Sequence, residues 1–142
     1  MLVPDTLESY LRQYPVTWAV NMPPNCPPQH IDIPHNHSFF RLTLHEDYID
    51  QQDMKNYVEL NPGNDWGDML PLASGLSVYN SEDKARKEIK LPYLKKFNFK
   101  GIAKIALNPQ DGVVLQTTKK KEHYTWWRTT GFNINNAQML QL

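Results

Sequence analysis

The chain has 142 residues, of which 40% are hydrophobic. That share is enough for one core and hard to divide between two, so we expect a single domain over residues 1–142. Lysine plus arginine equals aspartate plus glutamate at 15 each, which argues against the positive field used for nonspecific nucleic-acid or anionic-membrane binding.

No stretch approaches the roughly 20 apolar residues that span a bilayer, and the first residues lack the basic and apolar regions of a secretory signal. We therefore expect a cytoplasmic protein with no membrane partner. Cys26 is the single cysteine and cannot form an internal disulfide. Its proline-rich neighbours offer no base that would activate it, which argues against a catalytic thiol.

The first predicted element is a short amphipathic helix that Asp5 or Thr6 caps and Pro15 ends. Its apolar residues recur at helical spacing: Leu7, Tyr10, Leu11 and Tyr14. Prolines then crowd the chain as far as Pro34, which excludes regular helix and favours extended backbone. Residues 1–37 are expected to form this helix and a proline-rich wrap or arm on a core of residues 38–132. The arm could also bind a protein partner.

Residues 38–45, SFFRLTLH, predict the first strand of the core. One face carries Phe40 and Leu42 and is expected to be buried. The other face carries Arg41 and His45. The following residues, 46–71, predict a weak helical turn and a long surface loop of the kind that is often functional.

A second short strand is predicted in LASGLSVY, followed by a helix that Asn80 or Ser81 caps. The helix carries acidic residues in its first turn and basic residues later, as the helix dipole favours, and Pro92 ends it. Ala85 and Ile89 are expected to face inward.

The run FKGIAKIALNPQDGVVLQTT predicts two strands joined as a β-hairpin. A last strand in EHYTWWRTTGF alternates His123 and Trp127 on one face with Tyr124 and Trp126 on the other. The tail after Phe132 is polar and is expected to fray. The order of elements predicts an α+β fold, a mostly antiparallel sheet with two or three short helices.

Arg41 is the first candidate for a functional residue, because a half-buried guanidinium needs an anion or a carboxylate against its donors. Phosphate or carboxylate recognition is one reading. An internal salt bridge to an acid at position 46, 47, 65 or 68 is the other.

Two further segments could complete a ligand site. Gly75 permits close approach to the backbone between the hydroxyls of Ser74 and Ser77, although a plain strand start explains the same residues. The cluster of His123, Tyr124, Trp126 and Trp127 suits a planar ligand such as a nucleobase, or it fills the core.

Metal and phosphate signals are weaker. His30, His35 and His37 with Cys26 lack the ligand spacing of closed zinc sites, so no metal is expected. Lys119–Lys121 could contact phosphates, although three lysines more often mark a solvated turn. The common nucleotide, hydrolase and zincin signatures are absent from the sequence.

The chain resembles a set of small bacterial proteins in four consecutive motifs over residues 38–128. They are Phe40-Arg41-Leu42, Gly75-Leu76-Ser77-Val78-Tyr79 with Ala85-Arg86 in the next helix, Gly101 through Leu107, and His123 through Trp127. The order of arginine, serine and late polar strand is similar to small ADP-ribosyltransferase-like and RES-type toxin domains.

This resemblance implies a split antiparallel sheet that grips NAD as substrate, with Arg41 on a phosphate and Ser77 near the nicotinamide ribose. The family's late catalytic glutamate corresponds to Glu122, beside His123. The expected catalytic residues are thus Arg41, Ser77, Glu122 and His123. The expected ligand-binding residues are Arg41, Ser74, Gly75, Tyr79, Tyr124 and Trp126.

Three functions follow as hypotheses. The first is an NAD-consuming ADP-ribosyltransferase-like or NAD glycohydrolase-like bacterial effector, with a small nucleotide as ligand. The second is a noncatalytic interaction or accessory module. The third is a ribonuclease-type toxin with His45 and His123 as an acid/base pair, which the balanced charge disfavours.

Overall fold

The computed structural model describes residues 1–142 apart from the side chain of Tyr93. The strands within it are β1 (Leu2–Thr6), β2 (His30–Pro34), β3 (His37–Thr43), β4 (Leu76–Tyr79), β5 (Gly101–Leu107), β6 (Gly112–Gln116), β7 (His123–Arg128) and β8 (Gln138–Met139). The α-helices are α1 (Leu7–Gln13), α2 (Tyr57–Leu60), α3 (Leu70–Ala73) and α4 (Glu82–Glu88). The α+β class is confirmed; the helices are small, and the described residues form four α-helices where two or three were predicted.

All strands join one antiparallel sheet in the order β1-β2-β6-β7-β4-β3-β5-β8. The sheet curls, because strands that are far apart in this order share one core. Val114 on β6 and Ile105 on β5 belong to the same buried cluster as Phe39 and Trp126. Side chains on the concave face therefore meet across the curl rather than only between neighbours.

Two smaller cores cover the outer face of the sheet. Tyr10 of α1 packs with Ile31, Ile33, Val113 and Trp127 on one side. On the other side, α4 places Ala85 on a cluster formed by Phe40, Leu42, Tyr79 and Ile102. Both faces of β3 are consequently covered, whereas the alternation in the sequence predicted one buried face.

The predicted amino-terminal caps of α1 and α4 are confirmed. Thr6 caps α1 by accepting a hydrogen bond from the backbone N–H of Ser9, and Ser81 caps α4 in the same way through Lys84. Ala85 is fully buried and Ile89 packs against the same core, as the spacing indicated. The helix ends at Glu88, and Pro92 begins a separate 3₁₀ turn over Pro92–Phe97 instead of terminating α4.

The β-hairpin prediction for residues 99–118 was wrong, although both of its strands exist. β5 pairs with β3 over seven positions, and β6 pairs with β2 and β7. Between them, Asn108 and Asp111 cap each other in a capping box around a 3₁₀ turn (Pro109–Asp111). This turn does not reverse the chain, so β6 leaves β5 and joins the far half of the sheet.

The amino-terminal segment lies within the sheet. β1 pairs with β2 from Leu2↔Pro34 to Thr6↔His30, and a bridge joins Trp18 to Thr129. The proline-rich stretch between α1 and β2 carries no helix in the described residues, and its Trp18 packs against the α1 core. The sheet therefore includes strands from both sides of residue 37, where an arm was expected to end and the core to begin.

The carboxyl-terminal tail was expected to fray, and that expectation was wrong. Gln138–Met139 form β8 on the outer edge of β5, and Phe132 packs at 4.9 Å, edge to face, on Trp126. The apolar residues scattered through the tail supply enough contact to dock it.

Pairing between β3 and β4 is unusually short. The two strands are matched at Phe40↔Tyr79, whereas β4 pairs with β7 from Leu76↔Trp126 to Tyr79↔His123. β3 and β4 diverge beyond that position, and a cavity lies at the opening between them.

No helix in the described part of the chain is long and apolar enough to cross a membrane.

Gly75 lies just before β4 and against β7. A Cβ there would overlap the γ-methyl of Thr125 and would lie 3.2 Å from the carbonyl oxygen of Trp126. We expect Gly75→Ala to lower the free energy of unfolding by about 1–3 kcal/mol, because the strand must shift to relieve the overlap. Urea denaturation would measure this change.

The matched control is Gly63→Ala, since a Cβ at Gly63 would meet nothing within 4 Å. We expect that variant to stay within about 0.5 kcal/mol of the wild type. Equal stability of the two variants would contradict the close packing of β4 on β7.

Candidate functional site

The cavity between β3 and β4 has a volume of about 600 Å³. Its base is formed by the diverging strands and by the start of β7. Its walls are three connecting segments that contribute residues from 52–60, 94–99 and 118–120. The described residues of β3, β4 and β7, with two that adjoin these strands, line it as follows: Arg41, Leu42, Leu44, Gly75, Leu76, Ser77, Tyr79 and His123. Five separate parts of the sequence thus meet at one concave surface, which is the usual form of a ligand site.

Arg41 lies at the opening of the sheet and bonds to backbone on both sides of it. Its Nε donates to the carbonyl oxygen of Asp53 at 2.9 Å, and Nη1 donates to the carbonyl oxygen of Ser77 at 2.7 Å. The Ser77 carbonyl belongs to β4 on the side facing β3, where the ladder stops. The guanidinium therefore satisfies a strand acceptor that the divergence leaves without a strand partner.

The charge of Arg41 is not matched by a carboxylate. None of the ion pairs within the described residues includes Arg41, so the predicted alternative of a salt bridge to position 46, 47, 65 or 68 is not formed. Burial lowers the pKa of Arg41 from its ordinary 12.5, and the neighbouring Tyr57 and Asp53 oppose that change. The group stays a cation at neutral pH and presents its remaining donors without a counter-ion.

The cavity is basic although the chain is neutral. Its lining holds four cationic side chains, Arg41, Lys55, Lys119 and Lys120, against one carboxylate, Asp53. Both oxygens of Asp53 accept backbone hydrogen bonds, Oδ1 from Leu44 at 2.8 Å and Oδ2 from Asp50 at 3.0 Å. The cavity consequently favours an anionic ligand.

His123 begins β7 and completes the base of the cavity. Its ring meets Tyr79 edge to face, with centroids 5.4 Å apart. Nδ1 is buried and has no hydrogen-bond partner among the described residues. Burial lowers the pKa of His123 from 6.5, Lys120 lowers it further and Glu88 opposes them. The imidazole is therefore neutral at pH 7 and able to accept a proton.

The structure brings together five of the residues singled out in the sequence: Arg41, Gly75, Ser77, Tyr79 and His123. Register explains this convergence, because Tyr79 pairs with Phe40 on one side and with His123 on the other. Lys119 and Lys120 from the lysine run also line the cavity.

Four expected site residues lie elsewhere. Glu122 is not part of the cavity lining, and its carbonyl oxygen accepts the N–H of Asn80. Ser74 is buried at the end of α3, where its hydroxyl donates to the carbonyl oxygen of Leu70 at 2.8 Å. Tyr124 and Trp126 face the concave core.

Trp126 is fully buried, and its indole N–H donates to the carbonyl oxygen of Asp111 at 3.0 Å. Neither its ring face nor its polar atom is open to a ligand. The aromatic cluster of β7 is thus divided between two cores, because successive residues of a strand point to opposite faces.

Three aromatic residues of the cavity lining come from α2, from the 3₁₀ turn over Pro92–Phe97 and from the residues after it, none of which the sequence singled out. They are Tyr57, Phe97 and Phe99, beside Tyr79 of β4. Tyr57 and Phe97 have ring centroids 6.4 Å apart, and Phe97 stacks on Phe99 at 5.6 Å. Asn98 adopts a left-handed φ of 56° between the two phenylalanines. For Tyr57 the available signal was the segment 46–71, which was predicted to form a weak helical turn and a long surface loop of the kind that is often functional.

The ribonuclease hypothesis required His45 and His123 to act as a pair. His45 stacks on Tyr48 with centroids 4.1 Å apart and is not part of the cavity lining. The residues considered for a metal, His30, His35, His37 and Cys26, do not cluster. Among the described residues no group of three or more His, Cys, Asp or Glu could hold a metal ion.

The lowered pKa of His123 makes stability depend on pH. The unfolded chain binds a proton at this site more readily than the native protein does, so protonation favours unfolding. The contribution of His123 is fully present above pH 6.5 and is lost as the pH falls through 6.5 toward the lower native pKa. We expect His123→Gln to reduce the loss of stability between about pH 7.5 and pH 5, as measured by urea denaturation.

His30→Gln is the matched control, because His30 is exposed and lies outside the cavity. An unchanged pH profile in His123→Gln would show that His123 is protonated equally in both states.

The chain matches no protein-family model, no curated protein and no solved structure with which it was compared.

Proposed function

We propose that the cavity binds NAD as a substrate and that the chain breaks the nicotinamide–ribose bond, as an NAD glycohydrolase-like or ADP-ribosyltransferase-like bacterial effector domain does. The observation that carries this proposal is Arg41. It is a permanent cation at the opening of the sheet, held by two backbone carbonyls and lacking a carboxylate partner in the described residues. The planar fork of donors on a guanidinium suits phosphate oxygens.

The rest of the cavity supports a nucleotide rather than a simple inorganic anion. Its volume of about 600 Å³ lies within the range of cavities that take cofactor-sized molecules. Tyr57 and Phe97 add aromatic rings to the cavity lining. NAD combines two phosphates with two planar rings, so it would use the basic and the aromatic parts of the lining together.

The order of the polar groups across the sheet also supports the proposed function. Arg41 on β3, Ser77 on β4 and His123 on β7 come from three neighbouring strands. This corresponds to the arginine, serine and late polar residue of the ADP-ribosyltransferase-like domains that the sequence resembles. Fold-level analogy alone would be a weak reason, and the shared cavity adds a physical one.

In the proposed reaction the bond between nicotinamide N1 and ribose C1′ breaks, and its electron pair neutralises the ring cation. The oxygen of water bonds to the electron-poor C1′, and one water proton passes to the neutral imidazole of His123. The products are nicotinamide and ADP-ribose, with the proton later released to solvent. The lowered pKa of His123 keeps it in the form that accepts a proton.

Hydrolysis fits the lining better than transfer to a protein. ADP-ribosyltransferases use a late glutamate, and Glu122 is not in the cavity lining. Asp53 is the one carboxylate there among the described residues, and two backbone N–H groups occupy it. Water, activated by His123, is therefore the proposed nucleophile.

Arg41→Met should weaken NAD binding by roughly 10- to 100-fold, the value of one or two lost charge-assisted hydrogen bonds. Isothermal titration calorimetry with NAD and with ADP-ribose would measure it. Arg86→Met is the matched control, because Arg86 pairs with Glu82 on α4 and lies outside the cavity. Arg41→Lys retains the charge and serves as a second variant if Arg41→Met unfolds. Wild-type affinity in both Arg41 variants would contradict the phosphate role.

His123→Gln should lower the rate of nicotinamide release by about 10²- to 10⁴-fold while changing the Kd for NAD little, since it removes the base and keeps a polar side chain. Chromatography of the released nicotinamide would measure the rate. If the wild-type protein binds NAD without releasing nicotinamide, the catalytic part of the proposal is wrong and a noncatalytic nucleotide-binding module remains. If it binds neither NAD nor ADP-ribose, the whole proposal is wrong.

A further inference from the structure

Glu88 is a fully buried carboxylate in the last turn of α4. Its Oε1 meets the ammonium group of Lys84 at 3.1 Å and that of Lys120 at 2.9 Å. Lys84 belongs to the same helix, one turn earlier. Lys120 comes from the segment before β7 and lines the cavity. A buried charge of this kind is retained only where its partners are well placed.

Lys120 connects this ion pair to the cavity in a second way. Its backbone carbonyl accepts the N–H of His123 at 3.1 Å, so the segment that carries Lys120 leads directly into the proposed base. The Lys120 side chain remains 43% exposed and the Glu88 side chain 1% exposed. Glu88 thus anchors a solvent-accessible cation from the protein interior.

We propose that Glu88 is a positioning residue for the cavity: it holds Lys120 on the wall beside His123, where the ammonium group contacts a phosphate of the ligand. The inference deepens the proposed function and rests on it for the identity of the ligand. One carboxylate cannot neutralise two ammonium groups, so the cluster of Lys84, Glu88 and Lys120 keeps a net positive charge. Lys120 is the member of that cluster that reaches the cavity.

The charges around His123 agree with this arrangement. Lys120 lowers the pKa of His123 and Glu88 raises it, which requires both groups to lie near the imidazole. Among the described residues, Tyr79 also faces the ring, in edge-to-face contact. Glu88 therefore acts on the proposed base both directly and through the position of Lys120.

The negative charge of Glu88 and its proposed positioning of Lys120 predict opposite effects on anion binding, so a substitution at Glu88 tells them apart. Glu88→Gln removes a negative charge, so charge alone predicts tighter binding of inorganic pyrophosphate. If Glu88 positions Lys120, the same variant should bind pyrophosphate roughly threefold more weakly or worse, because the ammonium group loses its anchor. Lys84→Met is the matched control: it removes a positive charge from the cluster and leaves Lys120 anchored.

Pyrophosphate affinity should therefore fall more in Glu88→Gln than in Lys84→Met. The reverse order, with Glu88→Gln binding more tightly than the wild type, would overturn the proposal. Glu88→Asp keeps the charge and shortens the side chain. It serves as a second variant if Glu88→Gln does not fold, with the same weakening expected.

An NMR titration of the His123 imidazole gives an independent readout that needs no ligand. The midpoint should move to higher pH in Lys120→Met, because a nearby cation is removed. If Glu88 holds Lys120 beside His123, the same substitution made in Glu88→Gln should move the midpoint much less. An equal shift in the two backgrounds would overturn the positioning role. If the wild type fails to bind pyrophosphate while these shifts appear, the proposed function fails and the positioning of Lys120 beside His123 stands.

Discussion

Arg41 carries its guanidinium into the opening between β3 and β4, and much of the cavity depends on the two carbonyl oxygens that it meets there. The bond to Ser77 replaces a ladder bond at the position where the strands separate, and the bond to Asp53 ties the preceding connection onto the sheet. An apolar side chain could fill the space, but it could satisfy neither acceptor. The guanidinium is thus a structural group, and in the proposed function it also binds the anion that a ligand would supply.

The cavity also shows how a chain with no net charge builds a strongly basic surface. The 15 basic and 15 acidic residues are balanced overall, yet four cationic side chains and one fully engaged carboxylate meet in the lining. Glu88 contributes to this distribution of charge, because it is buried and pairs with two lysines. Long-range attraction would be weak in such a protein, and recognition would depend on contacts inside the cavity.

β7 fixes the geometry of this surface from the opposite side. Trp126 enters the concave core and Trp127 enters the α1 core, where its indole N–H donates to the carbonyl oxygen of Pro71 at 2.9 Å. Two large side chains on opposite faces hold the strand firmly, and Gly75 allows β4 to approach it closely. His123, at the beginning of the same strand, therefore has a defined position at the base of the cavity.

The sequence by itself determined the local elements: helix starts at Asp5 or Thr6 and at Asn80 or Ser81, the strands around Arg41, Ser77 and His123, and the α+β class. These elements depend on side chains within a few residues of each other, so the spacing of the apolar residues and the identity of the capping residues indicate them. Only the tertiary structure decided which strands pair. β5 and β6 do not form the expected hairpin, and the tail docks as β8. Trp126 belongs to the core, whereas Tyr57 and Phe97 form part of the cavity wall. The physical reason is that pairing, burial and convergence depend on the free energy of contacts between distant parts of the chain, which no local pattern records.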